Sequence, residues 1–474
     1  MNWNLALPEI LLSASGLLIL LFGLVQKKEQ SAFICTMLTI ASFIACIFLV
    51  GTSSDGVAYN GAFINDSFAK FIKILILIAA IFTLILATEF NGFEKIDKFE
   101  FPVLILFSTV GALIMASAEN LITLFVGLEL SSLALYILCA FARDSILSAE
   151  SGLKYFVLGS LASGILLYGA SLVYGYTGTL DYRGIKSALL ATSQIYPGLI
   201  IGIVFILIGL SFKLSAVPFH MWTPDVYQGA PTSVTTYLAS APKFAAFALL
   251  LRVISGPFGH TYYQWQLLIE IISIASILVG AIAAIAQTNI KRLMAYSSIG
   301  HMGFALMGVA AATPLGLRGS LIYLTAYLFM NAGAFAVIAA LRRKGHAVES
   351  IYDFAGMAQK NKSLALAMAI FMFSMVGVPP LAGFFGKFMV FYAALSAHLY
   401  TLVIFALIGS IITAFYYLRI IKIMYFDPSI EGIDTVPSSY SFISLVTGIV
   451  TVAFILVLGP ITMAAQSAAS VLFN

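Results

Sequence analysis

Mostly apolar runs of about 18 residues or more recur along this whole chain, from Leu5–Val25 to the run near 440–466, with short polar breaks between them. As a helix, a run of that length crosses the roughly 30 Å hydrocarbon core of a bilayer. Inside lipid the backbone must satisfy its own hydrogen bonds, which leaves helices or a closed barrel. Barrel strands alternate polar and apolar residues at period two, and these runs do not. The expected fold class is therefore an all-α integral membrane protein. Composition agrees: 61% of the 474 residues are hydrophobic and 9% charged, and the mean hydropathy of +1.04 lies outside the range of soluble domains. The first run has neither a basic flank before it nor a small-residue cleavage site after it, and reads as a permanent span rather than a signal peptide. Cys35, Cys46 and Cys139 lie in apolar helix without ligand or disulfide spacing, and read as buried reduced thiols.

Charged and turn-rich breaks divide the chain into about fourteen spans, near 5–25, 31–50, 70–88, 101–118, 120–142, 153–175, 198–229, 231–254, 264–286, 291–312, 315–341, 362–396, 399–426 and 440–466. Loops after odd-numbered spans hold Lys27, Lys28, Lys95, Lys98, Arg143, Lys291, Arg292, Arg342, Arg343, Lys344, Lys360, Lys362, Arg419 and Lys422; those after even-numbered spans hold Arg183, Lys186, Arg252 and Arg318. Because cytoplasmic loops are enriched in Lys and Arg, this asymmetry orients the odd spans outward-to-inward and puts both termini on the outer side. Lys70 and Lys73, at the outer end of the third span, run against the rule and are expected to snorkel. The loops are too short for a soluble domain. The chain has no dinucleotide fingerprint, phosphate loop or cysteine cluster, so neither a bound redox cofactor nor a metal is expected, and no nucleic-acid partner.

Glu129, Lys213, Lys243, His301 and Lys387 fall well inside spans, and Lys154 about two residues into one. An ionisable side chain at mid-membrane costs about 2.5–3.5 kcal/mol on insertion scales, so it is retained where it works or is paired. The blander reading, a static buried ion pair or a snorkelling stem, weakens when several such residues share a depth. It is strongest for Lys154, whose side chain can reach the cytoplasm. His301 alone could be a satisfied core histidine, and Glu270 is assigned to the interface. Glu129 and Lys213 lie 84 residues apart and His301 and Lys387 86, so the two sets are offset by 172 and 174. That spacing suggests a five-helix repeat, spans four to eight matching nine to thirteen, inverted because the count is odd. The domain reading follows: an N-terminal three-helix segment at 1–100, a first repeat at 101–254, a second, inverted repeat at 264–426 and a C-terminal helix at 440–474. Spans seven and twelve are expected to be broken. Pro218 and Pro224 follow Lys213 in "FKLSAVPFHMWTPD", and Pro379 and Pro380 precede Lys387 in "GVPPLAGFFGKF". Unwound backbone at that depth implies a polar, hydrated interior.

"SFKLSAVPFHMWTPDVYQGAPTSVTTYLASAPK" (211–243), "NIKRLMAYSSIGHMGF" (289–304) and "GVPPLAGFFGKFMVF" (377–391) closely resemble the characteristic stretches of the antiporter-like membrane subunits of respiratory complex I and of multisubunit cation/proton antiporters. The resemblance covers roughly spans four to thirteen. A chain ending at Asn474 is expected to lack the long lateral helix of the largest such subunit, and Lys387 stands where the middle one usually has glutamate. By motif, the resemblance assigns the family's functional glutamate to Glu129, its lysines to Lys213, Lys243 and Lys387 and its histidine to His301; Lys213 would pair with Glu129, and Lys243 and His301 would lead towards Lys387. Lys154 is kept beside them as a candidate. The first three spans carry no motif of the family. The resemblance implies a translocase subunit without a redox centre of its own, moving protons along this row under the drive of quinone reduction elsewhere. NADH, FMN, iron–sulfur clusters and a quinone would be bound by other subunits. The expected partners are the other membrane subunits of complex I, including the other antiporter-like ones, and membrane lipid, in a bacterial inner membrane. A cation/proton antiporter subunit without redox partners, or a scaffold whose charges hold helices together, are the alternatives.

Overall fold

Helix follows helix through the computed structural model, which describes residues 3–26, 28–191, 196–343, 345–429, 434 and 436–473. Lys27 and Lys344, counted above among the loop cations, lie outside the described residues. Among the described residues, eleven helices are long and apolar enough to cross a membrane, from Trp3–Val25 to Phe454–Val471. Five shorter apolar helices lie at Glu100–Ala116, Pro197–Lys213, Lys362–Val376, Ala382–Ser396 and Ser438–Val452.

The two long runs with internal prolines are interrupted as expected. Pro197–Lys213 stops and resumes at Thr223–Gly229, and Lys362–Val376 stops and resumes at Ala382–Ser396. Val217–Pro218 and Pro379–Pro380 within the breaks are cis. Backbone groups freed by unwinding find side-chain partners, as burial demands. The Trp222 indole donates to the Phe212 carbonyl at 3.0 Å, and the Val217 N–H to Ser276 Oγ at 2.9 Å. In the second break the Gly383 N–H donates to Ser374 Oγ at 2.9 Å.

Two spans expected to be continuous are also broken. The run 231–254 divides into Thr232–Leu238 and Ala241–Ser255. Pro242 brings no N–H to the joint, and the Ser240 hydroxyl turns back to the Thr236 carbonyl at 2.9 Å, competing with the backbone ladder. The run 440–466 divides at Ala453, where the sequence offers no breaker.

Burial sorts the helices into centre and rim. The most apolar stretches of Ile290–Ala310 and Pro314–Ala340 are each 94% buried within the protein and that of Thr232–Ser255 89%, against 22% for Phe454–Val471 and 33% for Ser31–Thr52. The first three form the interior, and the others form the rim, with leucines such as Leu456 exposed. Small residues set the closest approaches, as is usual where helix association gains nothing from excluding water. A Cβ on Gly111 would lie 2.5 Å from the Ser131 backbone nitrogen of the neighbouring helix Leu121–Cys139.

Several charges assigned to loops or interfaces are buried instead. Lys73, expected to snorkel, is fully buried and pairs with Glu9 of the first span at 2.6 Å. Arg252 makes two hydrogen bonds to Asp66, at 2.7 and 3.0 Å. Lys291 pairs with Glu349, and Arg342 with Glu94. The stems lie against protein rather than lipid, so each head finds a carboxylate from another segment.

Candidate functional site

Glu129 and Lys213 come from two helices that both pack on Ile146–Thr177. Glu129 lies in Leu121–Cys139, a helix whose start is fixed by the Asn120 side chain accepting from the Ile122 N–H at 2.7 Å. Lys213 is the last residue of Pro197–Lys213, where the chain unwinds. The direct ion pair expected between them is not formed. The Lys213 ammonium donates to Ser132 Oγ at 2.7 Å and to the Tyr136 hydroxyl at 3.4 Å, while Glu129 Oε1 is buried without a hydrogen-bond partner among the described residues. A lysine stem is long enough to reach either group, and here the hydroxyls one and two turns along hold it. The rings of Tyr136 and Tyr155 each stand 5.4 Å from the ammonium, which they stabilise through their π faces.

Lys243 is third in the helix Ala241–Ser255, directly after the unexpected break. Its positive charge sits at the helix N-terminus, which the helix dipole opposes. Its ammonium, 1% exposed, donates to Ser298 Oγ at 2.6 Å, and Ser298 in turn meets the Tyr327 hydroxyl at 2.7 Å. One turn beyond Ser298 in the helix Ile290–Ala310, His301 has both ring nitrogens engaged: Nδ1 with the Tyr323 hydroxyl at 2.6 Å, Nε2 with that of Tyr417 at 3.0 Å. Tyr417 also reaches Ser297.

Lys387, one turn and more into Ala382–Ser396, turns back across the second break. Its ammonium donates to the Val376 carbonyl at 2.8 Å, the last residue of Lys362–Val376, and to Ser410 Oγ at 3.0 Å. A cation at a helix C-terminus satisfies both an orphan carbonyl and the dipole. Gly377 makes the approach feasible: its φ of +98° is left-handed, and a Cβ there would come within 3.0 Å of Lys387 Cδ. Phe304, on the His301 helix, covers the ammonium at 4.7 Å.

Lys213, Lys243, His301 and Lys387 are thus all buried, each in a hydrogen-bonded cluster. The clusters are separate. Between Lys213 and Lys243 lie stacked Tyr155 and Trp222, 4.4 Å apart, and then Tyr227, whose ring stands 5.5 Å from the Lys243 ammonium. Lys154 is not among them: its side chain is 40% exposed and pairs at 2.7 Å with both Glu150 and Asp225, Asp225 being held also by Arg292. Sequence reasoning missed the hydroxyl partners. Tyr323, Tyr327 and Tyr417 carried a signal in their positions, since tyrosines of membrane helices favour the interfaces and one placed mid-span needs a partner for its hydroxyl. Among the described residues no group of His, Cys, Asp and Glu could hold a metal ion.

Residues 118–413 match the family described as NADH:quinone oxidoreductase/Mrp antiporter, transmembrane. The NADH-quinone oxidoreductase subunit N of Gluconacetobacter diazotrophicus is 63% identical over 475 residues, covering 100% of both chains. That of Rhodospirillum rubrum is 51% identical over 472 residues, covering 98% of this chain and 97% of its own. Among solved structures, a chain of respiratory complex I from Thermus thermophilus is similar with a TM-score of 0.84 at 30% identity, covering 97% of this chain and 99% of that one. A chain of the Mrp complex from Dietzia sp. gives 0.86 at 22% identity, over 100% and 98%, a likeness of fold. With the family match spanning more than half of the chain and relatives aligned end to end, the chain belongs to the NADH:quinone oxidoreductase/Mrp antiporter membrane family.

Proposed function

We propose that the chain is the proton-translocating subunit N of a bacterial NADH:quinone oxidoreductase, respiratory complex I, and that Glu129, Lys213, Lys243, His301 and Lys387 form its transfer row. The observation that carries this reading is the burial of three lysines and a histidine whose bonded partners, apart from one backbone carbonyl, are hydroxyls. A neutral hydroxyl holds an ammonium in place without fixing its charge, and it can donate and accept in turn. A scaffold would pair each lysine with a carboxylate, as Lys73 is paired with Glu9. The full-length likeness to subunit N chains favours complex I over an antiporter working without redox partners.

The drive would come from quinone reduction in other subunits, which would also carry NADH, FMN, the iron–sulfur clusters and the quinone. Neighbouring antiporter-like subunits and lipid would cover the exposed apolar rim. Fourteen spans, with halves at 101–254 and 264–426 related by inversion, are part of the proposal; the two interrupted helices beside Lys213 and Lys387 support it. An N-terminal three-helix segment at 1–100, a C-terminal helix at 440–474 and both termini on the outer side complete it. Lys154, with Asp225 and Glu150, would guard the cytoplasmic entrance.

The test is proton pumping by the whole complex in proteoliposomes, followed with a pH-sensitive dye beside NADH:quinone turnover. Lys213→Ala should lower pumping roughly tenfold or more while the complex assembles. Lys213→Arg should fare no better, because guanidinium does not give up its proton at these pH values. An arginine variant with wild-type pumping would refute transfer through Lys213.

A further inference from the structure

Ser132 occupies the place where a carboxylate was expected. We infer that Ser132 and Tyr136 form a second seat for the Lys213 ammonium, in competition with Glu129, and that Lys213 alternates between the two. The inference rests on reading Lys213 as a transfer residue.

Glu129, Ser132 and Tyr136 follow at three- and four-residue steps, so they share one face of their helix. At 1.5 Å per residue the hydroxyls are about 4.5 and 10 Å along the axis from Glu129, within the swing of a four-carbon stem. Ser132 is built to accept. Its own hydrogen goes to the Leu128 carbonyl at 2.6 Å, which leaves its lone pairs for the ammonium at 2.7 Å. Tyr136 is placed by bare backbone: a Cβ on Gly159 of the helix Ile146–Thr177 would lie 2.2 Å from the Tyr136 hydroxyl oxygen. With the lysine so seated, Glu129 Oε1 is left buried and unpartnered, which is costly unless the cation returns.

The seats differ in what they do to the proton on Lys213 Nζ. Against Glu129 the positive charge is neutralised and the proton is held; against Ser132 and the aromatic faces only dipoles stabilise it, and it is free to leave. The titratable groups around the ammonium are Glu129, Tyr136 and Cys139 from one helix and Tyr155 from the next, with Tyr227 beyond; Lys154, beside Tyr155, turns away to Glu150 and Asp225. Ser132 is therefore a positioning residue whose loss strands Lys213 at Glu129.

The test measures the pH profile of pumping by the intact complex in proteoliposomes for Ser132→Ala, Ser132→Cys and Ser132→Thr, with Lys213→Ala alongside. Losing a hydrogen bond to a charged group should lower pumping about tenfold at neutral pH and move the profile about one unit alkaline in the alanine and cysteine variants. Threonine, which keeps the oxygen, should restore both. If Ser132→Ala does not assemble, the nearly isosteric cysteine variant decides. A wild-type profile in the alanine or cysteine variant overturns the inference, as does an unshifted profile with equal losses in all three, which is a packing defect. Pumping that survives in Lys213→Ala removes the relay itself, whereas its loss there with normal pumping in Ser132→Ala removes only the second seat.

Discussion

Glu9 and Lys73 provide a buried ion pair outside the transfer row, and breaking it should cost stability without touching transfer. The contact is 2.6 Å long with side chains 6% and 0% exposed, and neither head has a further hydrogen bond among the described residues. The Phe63 ring, 4.9 Å from the ammonium, adds to it, and the Lys73 charge is also felt at the Asp66 carboxylate. Removing one partner of such a pair strands a charge and costs about 3–5 kcal/mol, whereas removing both is close to neutral. Unfolding a chain of 474 residues carries an entropy of about 1 kcal/mol/K, so Lys73→Met or Glu9→Gln alone should lower the unfolding midpoint by ~3–5 °C. The Glu9→Gln/Lys73→Met double variant should recover most of that loss. The assay is thermal denaturation of the purified complex, with pumping per assembled complex as control. Additive losses in the double variant would refute the coupling. Lost pumping at an unchanged midpoint would show that the pair carries protons.

Gly377→Ala should act through Lys387: the left-handed φ of +98° costs roughly 1–2 kcal/mol with a Cβ, and that atom presses on the lysine stem. Pumping should fall well below that of Gly178→Ala, which has a φ of +71° but no atom within 4 Å of its Cβ; equal behaviour would mean backbone strain alone. At the start of the third span, burial raises the Asp66 carboxyl, but the Arg252 charge and hydrogen bonds and the Ala69 N–H outweigh it and hold the group below its usual value. A depressed folded pKa stabilises above the unfolded value of about 3.9 and loses that contribution as pH falls through the folded one. The deficit of Asp66→Asn should therefore be full at pH 7 and narrow below about pH 4 in thermal melts of the detergent-solubilised complex. A gap constant across that range would locate the defect in the second oxygen lost to Arg252 as a hydrogen-bond acceptor rather than in the charge of the pair, since asparagine keeps an oxygen for the Ala69 N–H.

What a sequence exposes in such a chain is whatever is expensive in lipid. Lys213, Lys243 and Lys387 stand out because a mid-membrane charge costs several kcal/mol, and the breaks at 214–222 and 377–381 because proline cannot supply a ladder hydrogen bond. Serine costs far less, so nothing along the sequence separates Ser132 or Ser298 from their unbonded counterparts, and a mid-span tyrosine such as Tyr417 shows that its hydroxyl needs a partner but not which one. Depth along a helix is likewise legible, but facing is not. Lys73, seven residues into Ser67–Phe93, has the depth of a snorkelling lysine; only Glu9 of the first span, 2.6 Å from its ammonium, shows that it turns inward. Arg252 reads as a loop cation along the sequence for the same reason, its partner Asp66 lying 186 residues away in the chain. The break before Lys243 shows a local signal being overlooked: Ser240 and Pro242 flank the joint, yet one proline in the first turn of a helix is ordinary, and the competing Ser240–Thr236 bond appears only in three dimensions. The same distinction separates the two kinds of buried lysine. A lysine given a carboxylate, like Lys73, is held by an opposite charge, whereas one given hydroxyls and ring faces, like Lys213 or Lys243, is held by neutral groups alone. That difference lies entirely in which neighbouring helix faces it, and small residues such as Gly111 and Gly159 bring those helices close enough for it to be felt.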